Sequence, residues 1–121
     1  MEINFVIKDE DQFLKIISTG SCNNLVQLKE YVLALQEATV SSGQTRFLVD
    51  ETHLKYTLST LDTYNSGCFL AQLTTKPQRI AILCKTSSWN DAKFWETVAV
   101  NRGVNVRVFD DRVSAGNWIL I

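Results

Sequence analysis

The residues Arg79 to Cys84, RIAILC, do most to narrow what this 121-residue chain can fold into. Their apolar centre is too short for a helix and lies between Pro77 and a polar stretch, so it reads as a buried, central strand. Phe47, Leu48 and Val49 form another short, wholly apolar run. A strand without polar alternation is covered on both faces, the state of strands in sheets wound with helical crossovers. The stretches flanking these runs must then supply helices, and their spacing does so.

From about Asn24 the apolar residues Leu25, Leu28, Tyr31, Val32 and Leu35 recur every three or four positions, which predicts a helix capped by Asn23 or Ser21 and stopped near Gly43. Leu58, Leu61, Tyr64, Cys68, Phe69 and Leu73 predict a second helix over about Thr60 to Thr74, ended by Lys76 and Pro77. Ser88 to Asp91 matches an S-x-x-D capping box, opening a third helix through Phe94, Trp95, Val98 and Ala99, with Gly103 at its end. Val104, Val106 and Val108 alternate with polar residues into a last strand ending at Phe109. Asp110 or Asp111 then caps a short helix burying Val113, Ala115, Trp118 and Ile119.

At the N-terminus, Ile3, Phe5 and Ile7 alternate with polar neighbours, and a second β-type run spans Phe13 to Ser18 before Thr19, Gly20 and Ser21 break it. The acidic turn Asp9 to Asp11 between them is short enough to require an antiparallel hairpin. The resulting order is β-β-α-β-α-β-α-β-α. It predicts one α/β domain over residues 1–121: a mixed, mostly parallel five-stranded sheet with an N-terminal antiparallel hairpin and four helices.

Charge and cysteine usage exclude several roles. Twelve Lys and Arg against 13 Asp and Glu leave a net charge of -1, which offers no footprint for nucleic acid. Cys22, Cys68 and Cys84 lack the close spacing of zinc or redox sites and read as small buried apolar residues in a reducing cytoplasm. The start MEINFVIKDEDQ resembles neither a signal nor a transit peptide, and no stretch has the roughly 18 to 20 apolar residues of a membrane span. A cytoplasmic protein is expected.

Three segments carry a resemblance. They are RFLVDETH from Arg46 to His53 with a helix starting at Ser59, the strand RIAILC, and DAKFWETVAVNRGVNVRVFDDRVSAGNWIL from Asp91 to Leu120. Together with the element order, they resemble the STAS family of small domains related to bacterial anti-sigma-factor antagonists, and more closely its divergent SpoIIAA-like branch. The resemblance implies a non-enzymatic regulatory or protein-interaction domain whose partner is another protein or a second copy of the chain. In signalling members a kinase phosphorylates a serine in the loop after the third strand. Ser59 matches that position, although the acid before it and the glycine after it are absent. Other members bind nucleotides or lipids, so a nucleotide or a small apolar ligand is the alternative, with the chain acting as a carrier.

The candidate surface is the strand-to-helix corner holding Asp50, His53, Thr57, Ser59, Thr60 and Asp62, together with Trp89 at the start of the third helix. Sheets of this kind place their sites at the carboxyl ends of the strands. Ser59 to Asp62 is also an S-x-x-D box, so capping alone accounts for the serine. Asp50, His53 and Ser59 suggest a hydrolase, but the G-x-S-x-G elbow is missing. His53 with Asp50 or Glu51 is too small a donor set for a transition metal, and the five glycines form no phosphate loop, so no cofactor is expected. The polar segment carrying His53 reads as a solvated loop. Phe94 and Trp95 point about 100° apart on a helix, so Trp89, Phe94 and Trp95 either form a wide core face or leave an apolar patch for a partner, a dimer or a lipid.

Overall fold

A computed structural model describes residues 2–74 and 77–121. Five strands, β1 (Ile3–Asp9), β2 (Leu14–Cys22), β3 (Arg46–Tyr56), β4 (Arg79–Leu83) and β5 (Val106–Phe109), form one sheet in chain order. β1 and β2 pair antiparallel and the remaining pairs are parallel. Four helices complete the fold: α1 (Leu25–Ser42), α2 (Thr60–Leu73), α3 (Trp89–Val100) and α4 (Arg112–Ile119).

The strand order explains where the helices lie. A sheet that grows in one direction through right-handed crossovers sets every connecting helix on the same face. Accordingly, Leu35 of α1, Leu70 of α2 and Trp95 of α3 all pack on the core built from Ile16, Phe47, Val49 and Ile80. α4 follows the last strand and covers the opposite face with Ala115 and Ile119 on Leu48, Ala81 and Leu83. That face is covered by one short helix, the other by three.

Local signals set the helix ends. Gly43 closes α1 at φ +74°, a conformation that costs glycine little. Gly103, at φ +92°, closes α3: its amide donates to the Val100 carbonyl and the Val104 amide to that of Ala99, the paired bonds of a Schellman motif. Ser59 caps α2, its Oγ accepting the Asp62 amide at 3.1 Å. Asp111 caps α4 through the Ser114 amide at 3.0 Å. Gly67 does something different, because a Cβ there would lie 2.8 Å from Val98 Cγ1. Its missing side chain lets α2 and α3 close into a tight pair.

Several expectations are corrected. The cap of α1 is Asn24, whose Oδ1 accepts the Gln27 amide at 2.9 Å, rather than Asn23 or Ser21. Ser88 makes no side-chain cap bond; a single 3-10 turn, Thr86–Ser88, feeds the chain directly into α3. α2 ends at Leu73, and its expected terminator Lys76 lies outside the described residues. The largest correction concerns β2 and β3. Both run past their expected ends, β2 through Thr19, Gly20 and Ser21, and β3 through the polar segment that reads as a loop. Their pairing continues to Cys22 and Tyr56 across an irregularity that aligns Ile17 with Asp50 and Thr19 with His53. Ladder pairing together with burial of Leu54 outweighs the polar composition of the segment.

Candidate functional site

The three helices on the crowded face do not fill the space beneath them. Between α1 on one side and α2 and α3 on the other lies a cavity of about 730 Å³, within the range of small-molecule sites. Its floor is the sheet, through Ile16, Val49 and Ile82, and its walls include Leu35, Leu70 and Trp95. Thr57, Ser59, Lys85 and Ser88 give it a polar margin beyond the carboxyl ends of β3 and β4.

The sheet carries the Glu51 carboxylate into this space, and Asp91 lies among the lining residues contributed by α3. Alternation along β3 sets Glu51 on the helix face with Phe47 and Val49, and the irregularity after it shifts the phase by one residue, so that Leu54 and Tyr56 also face α1. Tyr31, at the centre of α1, donates to Glu51 Oε2 at 2.8 Å, and Tyr56 donates to Oε1 at 2.8 Å. Since the Tyr31 proton goes to Glu51, the Ser18 hydroxyl, 2.6 Å away, donates to Tyr31. The chain Ser18, Tyr31, Glu51, Tyr56 is thus a relay of donors converging on one acid. Burial pushes the Glu51 carboxyl upward; the two tyrosine hydroxyls oppose this, and the neighbouring Asp50 charge adds to it. Burial and the Glu51 charge hold both tyrosines well above their ordinary range, so they stay protonated donors.

The two ion pairs among the described residues are Lys93 with Glu96 and Arg112 with Asp50, and Glu51 takes part in neither. Cys84, which lines the cavity, and Cys22 are both raised to about 11, chiefly by burial. At neutral pH they are thiols rather than thiolate nucleophiles.

The expected corner is divided by the sheet. Asp50, 3% exposed, lies on the α4 face. Its Oδ1 accepts the Thr52 hydroxyl at 2.6 Å and amide at 3.0 Å, and Arg112 of α4 reaches Oδ2 at 3.1 Å. Burial alone would raise its pKa, but Thr52 and then Arg112 outweigh it and the value is lowered. His53 is a strand residue, not a loop residue; it is exposed and, next to inward-facing Leu54, points away from the helices. Asp50, His53 and Ser59 therefore do not converge. Thr57 and Ser59 do border the cavity, while Thr60 and Asp62 belong to the first turn of α2.

The aromatic residues of α3 also separate. Trp95 faces inward and donates from Nε1 to Ser66 Oγ at 3.2 Å, whereas Phe94 is 39% exposed. Trp89 is half-buried, with Lys93 Nζ 5.5 Å from its ring centroid, and lies outside the cavity wall. Glu51, Tyr31, Tyr56 and Ser18 are the polar residues that sequence reasoning did not bring together. A tyrosine on the buried stripe of α1 was the available signal, since a buried phenol needs a partner for its hydroxyl.

The mixed sheet, its chain-order winding and its four helices define a STAS-type, SpoIIAA-like α/β fold. The solved structures that share it include two of known source. One is an anti-sigma factor antagonist from Mycobacterium paratuberculosis, with a TM-score of 0.66, 10% identity, and coverage of 97% of this chain and 93% of that one. The other is an uncharacterised protein of the DUF3478 family with a SpoIIAA-like fold from Shewanella loihica PV-4, with a TM-score of 0.59, 20% identity and the same two coverages. No protein-family model and no curated protein matches the sequence. No helix among the described residues is long and apolar enough to cross a membrane.

Proposed function

We propose that this chain is a non-enzymatic binding domain that takes up a small, largely apolar molecule between its sheet and helices α1, α2 and α3. The observation that carries this reading is the cavity of about 730 Å³, with aliphatic side chains and Trp95 in its walls, a polar margin, and the Tyr31, Glu51 and Tyr56 cluster inside. A cleft of this size, mostly apolar and with a few convergent polar groups, is the usual form of a small-molecule site. Native mass spectrometry of the freshly purified chain tests it. A recurrent small-molecule adduct is expected, and it should be lost in Leu70→Trp, where an indole occupies the wall and part of the cavity. A clean unliganded peak from several preparations would count against uptake.

A second reading, as a regulatory domain with a protein partner, is favoured by the setting of Ser59. Its side chain is exposed, caps α2 and borders the same cavity. Phosphate at a helix N-terminus is electrostatically favourable, and this fold occurs in an anti-sigma factor antagonist. Aspartate also caps helices, so Ser59→Asp adds charge without loosening α2. Binding of a captured partner should weaken at least about tenfold in this variant if the corner is a switch. Equal binding by wild type and variant would sink the switch and leave the cavity reading intact.

A further inference from the structure

Glu51 is an unusual group to find in an apolar cavity. A buried carboxylate is retained only where something offsets the loss of its hydration, either hydrogen bonds or an opposite charge. Here the hydrogen bonds are present, and neither Lys55 nor Lys85, the two cations lining the cavity among the described residues, forms an ion pair with the acid. Tyr31 and Tyr56 each occupy one lone pair of one carboxylate oxygen, which leaves a further acceptor site on each. The phenols also fix the orientation of the acid, because their own positions are set by α1 packing and by Ser18 behind Tyr31. Such a group accepts protons from a ligand and repels a second anion. Around it, Ile16, Val49 and Leu35 accommodate hydrocarbon.

We infer that the cavity selects an amphipathic molecule with a cationic, hydrogen-bond-donating head, of the primary-amine class, seated on the Glu51 carboxylate with its apolar body along the sheet. This rests on the proposed uptake of an apolar ligand and names its chemistry. An ammonium carries three donors and would supply the charge that Glu51 lacks. A hydroxyl head would satisfy one lone pair without compensating the charge, and a carboxylate head would bring two anions together in a medium of low dielectric. The order of preference is therefore amine, alcohol, acid.

Isothermal titration calorimetry of the full chain with n-decylamine, n-decanol and n-decanoate, each below micelle formation, tests the order with one hydrocarbon body and three heads. Decylamine should bind roughly tenfold or more tighter than decanol, the gain of one charge-assisted hydrogen bond, with decanoate weakest. Glu51→Gln should remove most of the amine advantage and leave decanol within about threefold of wild type, since the hydrocarbon contacts are unchanged. Glu51→Asp, which keeps the charge but draws it back from the cavity, should fall between the two and serves as the folded control. Decanoate binding as tightly as decylamine, or an amine advantage that survives in Glu51→Gln, overturns the inference while leaving uptake standing. Failure of all three probes to bind overturns the uptake reading and the inference with it.

Discussion

Asp50 and Glu51 follow one another on β3, yet the first meets Thr52 and Arg112 beneath α4, while the second meets two tyrosine hydroxyls and a cavity. The face that holds Asp50 is closed: Leu48, Ala81, Leu83, Ala115 and Ile119 pack together, and the carboxylate ties the start of α4 to the sheet. The face that holds Glu51 is covered by three helices that leave space between them. The Asp50 charge has an ion-pair partner on the closed face, and the Glu51 charge has none among the described residues. On the proposed reading, the carboxylate with its own guanidinium belongs to the scaffold, and the one with only neutral donors is completed by the ligand.

Removing each acid in turn gives the largest expected effect and tests that division. Asp50→Ala deletes the acceptor of two Thr52 bonds and of the Arg112 contact, and leaves the Thr52 groups short of partners. It should lower unfolding free energy by about 3 kcal/mol. The exposed guanidinium of Arg112 adds little of this, because solvent screens it. Glu51→Gln should stay within about 1 kcal/mol of wild type at pH 7, since it removes the charge while its amide oxygen still accepts from one tyrosine hydroxyl and its amide nitrogen donates to the other. Urea denaturation of the three proteins measures both. If the losses are equal, or the Glu51 variant is the weaker protein, Glu51 is scaffold too and the comparison fails.

Most of the architecture was legible because its signals are local. Ser59 and Asp111 cap their helices from sequence positions that fix the hydrogen bond within three residues, and Gly43 and Gly103 end helices where only backbone conformation matters. RIAILC could be read as a central strand because burial on both faces leaves no polar residue in its middle. The Asp50 to His53 segment could not be read this way. Its polar residues suit a loop, and only pairing with β2, which lies more than thirty residues earlier, extends the strand and shifts its register. Alternation alone sets Glu51 beside Phe47 and Val49 and Asp50 beside Leu48; the shift adds Leu54 and Tyr56 to the Glu51 side, so the cluster was hidden although its residues were in view. The cavity was hidden for a related reason. Ile16, Val49 and Ile82 look like core residues in sequence, and whether the helices above them meet is settled by Tyr31, Trp95 and the tight α2–α3 contact at Gly67.

A smaller effect separates the two acids by pH. Glu51 has a folded-state pKa above its ordinary value near 4.5. Between those two values the folded chain holds a proton that the unfolded chain has lost, so this acid makes stability fall as pH rises through the window. Asp50 behaves oppositely. Its folded-state pKa lies below its ordinary value of 3.8, so its contribution is present above 3.8 and is lost as pH falls through the lowered value. The groups coupled most directly to Glu51 do not confuse the first window: Tyr31, Tyr56, Cys22 and Cys84 keep their protons there, and Asp50, across the sheet, stays ionised. Urea denaturation of wild type and Glu51→Gln from pH 7 to 4.5 should therefore show wild type gaining on the variant as pH falls. The gain is at most about 1.4 kcal/mol per pH unit, the slope for one proton. Saturating decylamine should flatten it, because an ammonium beside Glu51 favours the ionised acid. A difference that stays constant with pH would mean that Glu51 is as well compensated as Asp50, by a partner other than the two tyrosines.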